Sequence, residues 1–242
     1  CCYQFFGRVR MNILSIDTSG QLLSIALLKN DSLTEESYSS DKKHSENILP
    51  LLKKLMDKSD IDFSDLNGVA FGAGPGSFTG VRIAAGVAYG IAYAHNLSIV
   101  GINNLEAIAK KVDKVVVIPC VDARMGELYM GAYKRINGEL VSIIDSGVFE
   151  PCDLPNLDIL DGVIVGSGVF EYKKILIEKY QDQKVIIDEN EYPLAGAIAQ
   201  LSIKRMDKNF NLKNAAPIYI RNNVAKTISE RKIDLKAKER KI

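Results

Sequence analysis

The stretch NILSIDTSGQLLSIALL runs from an apolar segment through an aspartate and a turn of small residues into a second apolar segment. The same order returns in the second half of the chain as VVVIPCVDARMGELYMGAY. Asp17 and Asp122 hold equivalent places, and Gly20 and Gly126 follow them three and four residues later. Each unit reads as a hairpin, since β-rich runs bounded by turn residues favour antiparallel pairing. A chain of 242 residues has room for two ordinary domains. The repeat therefore predicts a duplicated α/β fold, with the boundary near residues 105–113. The first lobe is expected over 11–108 and the second over 109–225, followed by a basic tail, 226–242. CCYQFFGRVR precedes Met11, the expected natural start, and reads as an upstream extension.

The segments between the hairpins fill in a mixed fold. LTEESYSS suits a third, edge-like strand. In HSENILPLLKKLMDKSD, Ile48, Leu51, Leu52 and Leu55 recur at helical spacing, with Pro50 near the helix start or bending it. LNGVAFGAG reads as a strand, GVRIAAGVAYGIAYAHN as a helix, and LSIVGINNL as a short strand and turn. GELVSIIDSGVFEP supplies a further strand, DGVIVGSGVFEYKKIL a strand, glycine turn and helix, and YPLAGAIAQLSIKRM a last helix.

Composition removes several function classes. With a formal net charge of +1, the chain as a whole has no field to gather nucleic acid or an anionic membrane. No apolar run approaches the ~20 residues that span a bilayer, so no membrane partner is expected. CCYQFF is too short for a signal segment. Four cysteines without metal or disulfide spacing suit a reducing, cytoplasmic setting. A helix-borne metal site would place a second histidine four residues after His44, where Ile48 stands, and Glu46 lies on another face. No Ser/His/Asp or Cys/His triad is apparent. Neither a metal nor a cofactor is expected. From Lys226 to Ile242 there are seven Lys/Arg against three Asp/Glu, which suits a solvated tail or an arm that touches tRNA.

FGAGPGSFTGVRIAAG invites a phosphate reading, but it has no lysine for a Walker A loop, and Ser77 replaces the third glycine of GxGxxG. Two readings stay open. One is a tight strand-to-helix corner in which Pro75-Gly76 turns the chain, Ser77 or Thr79 caps the helix, and Gly72 and Gly74 permit close approach. The other is an anion site at the helix N-terminus. Asp17-Thr18-Ser19-Gly20 resembles the first phosphate loop of actin, sugar-kinase and Hsp70 proteins, and equally suits an aspartate closing a turn. Arg124 and Glu127 suit a ligand contact or a surface ion pair. His95 stands where it favours a helix C-terminus. The helix after the glycine loop has almost no polar face: either the chain buries it all round, or part of it awaits a partner. A chain of this size has little bulk for the first, which favours the second.

MNILSIDTS, HSENILPLL, GAGPGSFTGVRIA, VDARMGELY and PIYIR, spread in order from Met11 to Arg221, resemble the TsaB (YeaZ) family. The resemblance implies an actin-like ATPase (ASKHA, RNase H-like) fold of two duplicated lobes. It implies a non-catalytic subunit that supports TsaD in transferring a threonylcarbamoyl group to the adenosine beside the tRNA anticodon. A TsaE-type ATPase would join a larger complex, tRNA would be met through that complex, and the chain would form a homodimer when alone. Such a chain keeps a vestigial nucleotide cleft, here Asp17, Thr18, Ser19, Gly74, Ser77 and Asp122. The family pairs through its first two helices, here about residues 45–56 and 79–94, with Ile48, Leu52, Leu55, Val81, Ala85, Ala88 and Ala92 as expected contacts. The alternatives are an actin-like ATP-binding hydrolase or phosphotransferase using Asp17 and Asp122, and, last, a peptidase.

Overall fold

A computed structural model describes residues 11–39, 44–157, 161–206 and 216–220. The extension 1–10, Arg221 and the tail 226–242 lie outside the described residues. The first half runs β1 (Asn12–Asp17), β2 (Leu22–Lys29), β3 (Ser32–Ser39), α1 (His44–Ser59), β4 (Gly68–Gly74), α2 (Phe78–Ala94), β5 (Ser98–Asn103) and α3 (Asn104–Lys111). The second runs β6 (Val116–Arg124), β7 (Glu127–Ile136), β8 (Glu139–Phe149), β9 (Asp161–Val165), α4 (Gly168–Lys179), β10 (Lys184–Asp188) and α5 (Ala195–Ser202).

The two sheets have the same plan. Their orders are β3-β2-β1-β4-β5 and β10-β9-β6-β7-β8, so β1 corresponds to β6, β2 to β7 and β4 to β9. In each, the hairpin strands pair antiparallel and the later strands add parallel. This is the duplicated α/β arrangement expected from the repeat. The inner strands β1, β2 and β4 are buried almost throughout, as strands covered on both faces must be, while the edge strand β3 is polar and largely solvated. Lys54 and Lys58 of α1 both reach Glu36 of β3, at 2.9 and 2.7 Å, and together hold its carboxyl below the usual range.

Helices exchange between the lobes. α3 follows the first sheet but packs on β6, β7 and β8 as well as on β4 and β5. α5 comes from the stretch assigned by sequence to the second lobe, yet it packs on β1, β2, β4 and β5 and against α3. The division at 108/109 therefore separates the sheets but not the helices. Helix N-termini leave N–H groups in need of acceptors, and those of α5 find them in the first lobe. Leu194 N and Ala195 N donate to Ser24 Oγ at 3.2 and 3.1 Å, and Gly196 N donates to Glu35 Oε1 at 2.7 Å. Ser15 Oγ donates to Ala195 O at 2.7 Å, and Arg205 forks onto Glu106 of α3 at 2.8 and 2.6 Å. The shared apolar core between the lobes, from Ile13 and Leu105 to Val163 and Ile198, ties the sheets together. α3 and β10 have no counterpart in the sequence reading. Among the described residues no helix is long and apolar enough to cross a membrane.

Candidate partner surface and a closed glycine corner

The glycine loop is filled by its own chain. Ser77 N donates to Ser19 O at 2.8 Å, and Thr18 Oγ1 donates to Gly80 O at 2.6 Å. Ser77 is the N-cap of α2, its hydroxyl accepting from Gly80 N at 3.3 Å, so Ser77 rather than Thr79 takes that role. The glycines are what permit this. A Cβ on Gly80 would fall 1.9 Å from Thr18 O, and one on Gly76 would fall 2.8 Å from Ser19 O. The turn after β1 is thus pressed onto the first turn of α2, backbone against backbone. In the second lobe the start of α4 is pressed onto strand β6 instead: a Cβ on Gly166 would lie 2.5 Å from Cys120 O, and Ser167 Oγ accepts from Asp122 N at 3.3 Å.

Of the cleft residues, Asp17, Thr18, Ser19, Gly74 and Ser77 gather at this first corner, while Asp122 stands at the second. Asp17 is 2% exposed and Thr18 fully buried. A Cβ on Gly72 would lie 2.1 Å from Asp17 Oδ1 and 2.8 Å from Asn104 Oδ1, so both oxygens flank one glycine. Asn104 donates through Nδ2 to Pro75 O at 3.3 Å, while its Oδ1 is buried with no donor among the described residues. Burial pushes the Asp17 carboxyl up to about 6, against hydrogen bonds from Ser19 and Thr18 that favour its charge. Asp122 accepts from Arg124 N at 2.7 Å and pairs with Arg124 Nη1 at 3.0 Å. His44 starts α1 with Nε2 3.2 Å from Gly20 O, and His95 caps the C-terminus of α2 while stacking on Phe63. Among the described residues no group of three or more His, Cys, Asp or Glu could hold a metal ion.

Burial divides the apolar positions of α1 and α2 into inward and outward ones. Ile48, Leu52, Leu55, Val81, Ala88 and Ala92 are buried in the chain's own core beneath the first sheet. They were expected as partner contacts, and their burial corrects that expectation: these side chains already have neighbours, and only half-buried Ala85 of the seven lies near an open face. α2 is therefore not buried all round. Val81, Ala84, Ala88 and Ala92 form its inward stripe. The outward stripe is Phe78, Arg82, Gly86, Tyr89 and Tyr93, again at three- and four-residue spacing. Phe78 and Tyr93 are 67% and 69% exposed, and Leu49 on α1 is 63% exposed. Tyr89 and Tyr93 stack with centroids 5.9 Å apart. Gly86 and Gly90 would meet nothing within 4 Å if they carried a Cβ, so the fold does not need glycine at either.

The sequence model of a family described as "TsaD: tRNA N6-adenosine threonylcarbamoyltransferase" matches residues 33–229. The tRNA threonylcarbamoyladenosine biosynthesis protein TsaB of Escherichia coli K12 is 31% identical over 227 residues, 89% of this chain and 96% of that protein. The protein of the same description from Haemophilus influenzae is 30% identical over 227 residues, 88% of this chain and 95% of that one. Among solved structures, YeaZ from Pseudomonas aeruginosa superimposes with a TM-score of 0.76 at 28% identity, over 86% of this chain and 99% of that one. A further Pseudomonas aeruginosa structure, of an uncharacterized protein with similarity to peptidase YEAZ, gives 0.77 at 27% identity, over 87% and 100%.

Proposed function

We propose, since this chain belongs to the TsaB family of tRNA threonylcarbamoyladenosine biosynthesis proteins, that it serves as a non-catalytic subunit supporting a TsaD-type catalytic paralogue. In this reading the paralogue transfers the threonylcarbamoyl group to the adenosine beside the anticodon, and this chain supplies a docking surface. The observation that carries it is the outward stripe of α2. An exposed helix gains from a polar outer face and loses about 1 kcal/mol for each interior glycine relative to alanine. α2 nonetheless turns Phe78, Tyr89 and Tyr93 to solvent and carries two glycines that its own fold does not require. Close approach of a second helix accounts for both features, since glycine lets backbones meet and tyrosine buries large area at low entropic cost.

The buried corner supports the accessory half of the reading. Asp17 lies under the chain's own loop, where nucleotide chemistry would need a charged, accessible carboxylate. The same α1/α2 face serves a second copy of the chain when the paralogue is absent. A TsaE-type ATPase joins the larger assembly, tRNA is met through that assembly, and the tRNA substrate places the work in the cytoplasm.

The test is a binding titration of the full chain against the TsaD-type subunit of the same organism, read beside reconstituted tRNA modification. Gly86→Arg enters open space, so its melting temperature is at or above that of the wild type. It lowers affinity for the paralogue at least about tenfold, or 1.4 kcal/mol, and modification falls with it. Unchanged affinity in Gly86→Arg and Tyr93→Ala would remove the proposed surface. Ala88→Glu is unsuitable for this purpose, because Ala88 is fully buried and its substitution disrupts the core.

A further inference from the structure

The chain's last described segment, residues 216–220, returns to the first turn of α2. Between β4 and β5 the register shifts between Gly72 and Gly74, leaving Ala73 out of the ladder. Ile218 N donates to the Ala73 carbonyl at 2.7 Å and so supplies the partner that the sheet does not. Gly74, at φ +100°, admits the close pass: a Cβ there would lie 3.2 Å from Ile218 O. This anchor sets Tyr219 over the Arg82 guanidinium, 5.3 Å from its ring centroid. Arg82 also lies over the Phe78 ring at 3.2 Å, and Arg82 Nη1 donates to Phe78 O at 3.0 Å. The stack is solvent-exposed, with Tyr219 54% and Phe78 67% accessible.

We propose that the Phe78–Arg82–Tyr219 stack is a docking point for a carboxylate side chain of the partner subunit, with the 216–220 strap as its positioning element. The inference rests on α2 being the partner surface. Arg82 is the only charged residue of α2, and among the described residues no carboxylate pairs with it. Two ring contacts and a backbone bond hold the guanidinium flat, which lowers the entropy lost when its remaining donors are engaged. A flat, pre-set fork suits bidentate pairing with a carboxylate. A single cation in an apolar frame differs from a phosphate-backbone site, where affinity comes from several cations neutralising several phosphates. It matches the arginine and aromatic anchors found at the centres of protein interfaces.

The experiment titrates the full chain against the TsaD-type subunit at low and high salt. Arg82→Gln is expected to weaken binding about tenfold and to flatten its salt dependence. Arg82→Lys should restore little, since a point charge lacks the stacked fork. Tyr219→Ala, an exposed change that leaves the fold in place, should cost roughly threefold. Wild-type affinity in Arg82→Gln or in Tyr219→Ala would overturn the inference, as would full rescue by Arg82→Lys. Intact subunit binding with lost retention of labelled tRNA by Arg82→Gln would also overturn it, because the anion would then be phosphate. If the unmodified chain does not bind the subunit at all, the proposed function and this inference both fall. An indifferent Arg82 beside a wild-type chain that binds removes the inference alone.

Discussion

Gly80→Ala should lower the melting temperature of the chain by about 10 °C, the shift expected of roughly 3 kcal/mol in a protein of this size. The added Cβ would fall 1.9 Å from Thr18 O and 2.9 Å from the Thr18 carbonyl carbon. Both belong to backbone, so no side chain can swing aside. The clash lies where the structure has least room to yield. Thr18 Oγ1 already draws the turn onto Gly80 O at 2.6 Å, and Ser77 N draws Ser19 O at 2.8 Å from the other side. Relief would mean parting the β1–β2 turn from α2, losing the two hydrogen bonds that join them. Overpacking a rigid site costs about 1–3 kcal/mol or more, and the lost bonds place this case at the upper end. Gly86→Ala is the control. It adds the same methyl six residues further along the helix, in open space, and should raise stability by up to about 1 kcal/mol through helix propensity. Thermal melts of the two variants followed by circular dichroism decide the matter. A Gly80→Ala protein that melts with wild type would mean that the corner is not closed.

That contrast also marks where the sequence could be read and where it could not. The strand–aspartate–turn–strand repeat carried the duplication, and the two sheets follow it strand for strand because alternating apolar runs and turn residues are local signals. The face of α2 was not legible. Its residues are nearly all Ala, Gly, Val, Ile or Tyr, so hydropathy hardly changes around the helix and periodicity cannot choose a side. Ala85 and Ala88 look alike in sequence; one is half-buried and the other fully enclosed. α1 was legible as a helix, but its Ile48, Leu52 and Leu55 stripe is the signature of a core face, and its exposed apolar residue is Leu49. The exchange of α3 and α5 between lobes rests on contacts such as Ser24 with Ala195, which no short window of sequence contains. Gly86 and Gly90 did carry a signal. Exposed glycines inside a helix are costly, and that cost points to a neighbour outside the chain.

Asp17→Asn should stabilise the chain at pH 7.5 and leave tRNA modification by the reconstituted system unchanged. Burial raises the Asp17 carboxyl from its ordinary value near 3.8 to about 6 in the folded state. Between those values the folded chain holds more proton than the unfolded one, so stability falls as pH rises through the window and the loss is complete above it. A rise of about two units corresponds to a penalty of about 3 kcal/mol at pH 7.5 as an upper bound, absent below about pH 4. Asparagine removes the buried charge while keeping an oxygen to accept from Ser19 N, as Asp17 Oδ1 does at 3.3 Å. The expected signature is a difference in unfolding free energy between variant and wild type that grows from near zero at pH 4 to about 2–3 kcal/mol at pH 7.5. Taking the difference cancels the titration of every other group. A residue that orients a metal-bound water in a nucleotide site gives the opposite pair of results, loss of activity without gain in stability. A destabilised Asp17→Asn chain at pH 7.5 would mean that the carboxylate has a compensating partner in the fold. Loss of modification in a stable one would return Asp17 to chemistry, and with it the accessory reading of the first lobe would fail.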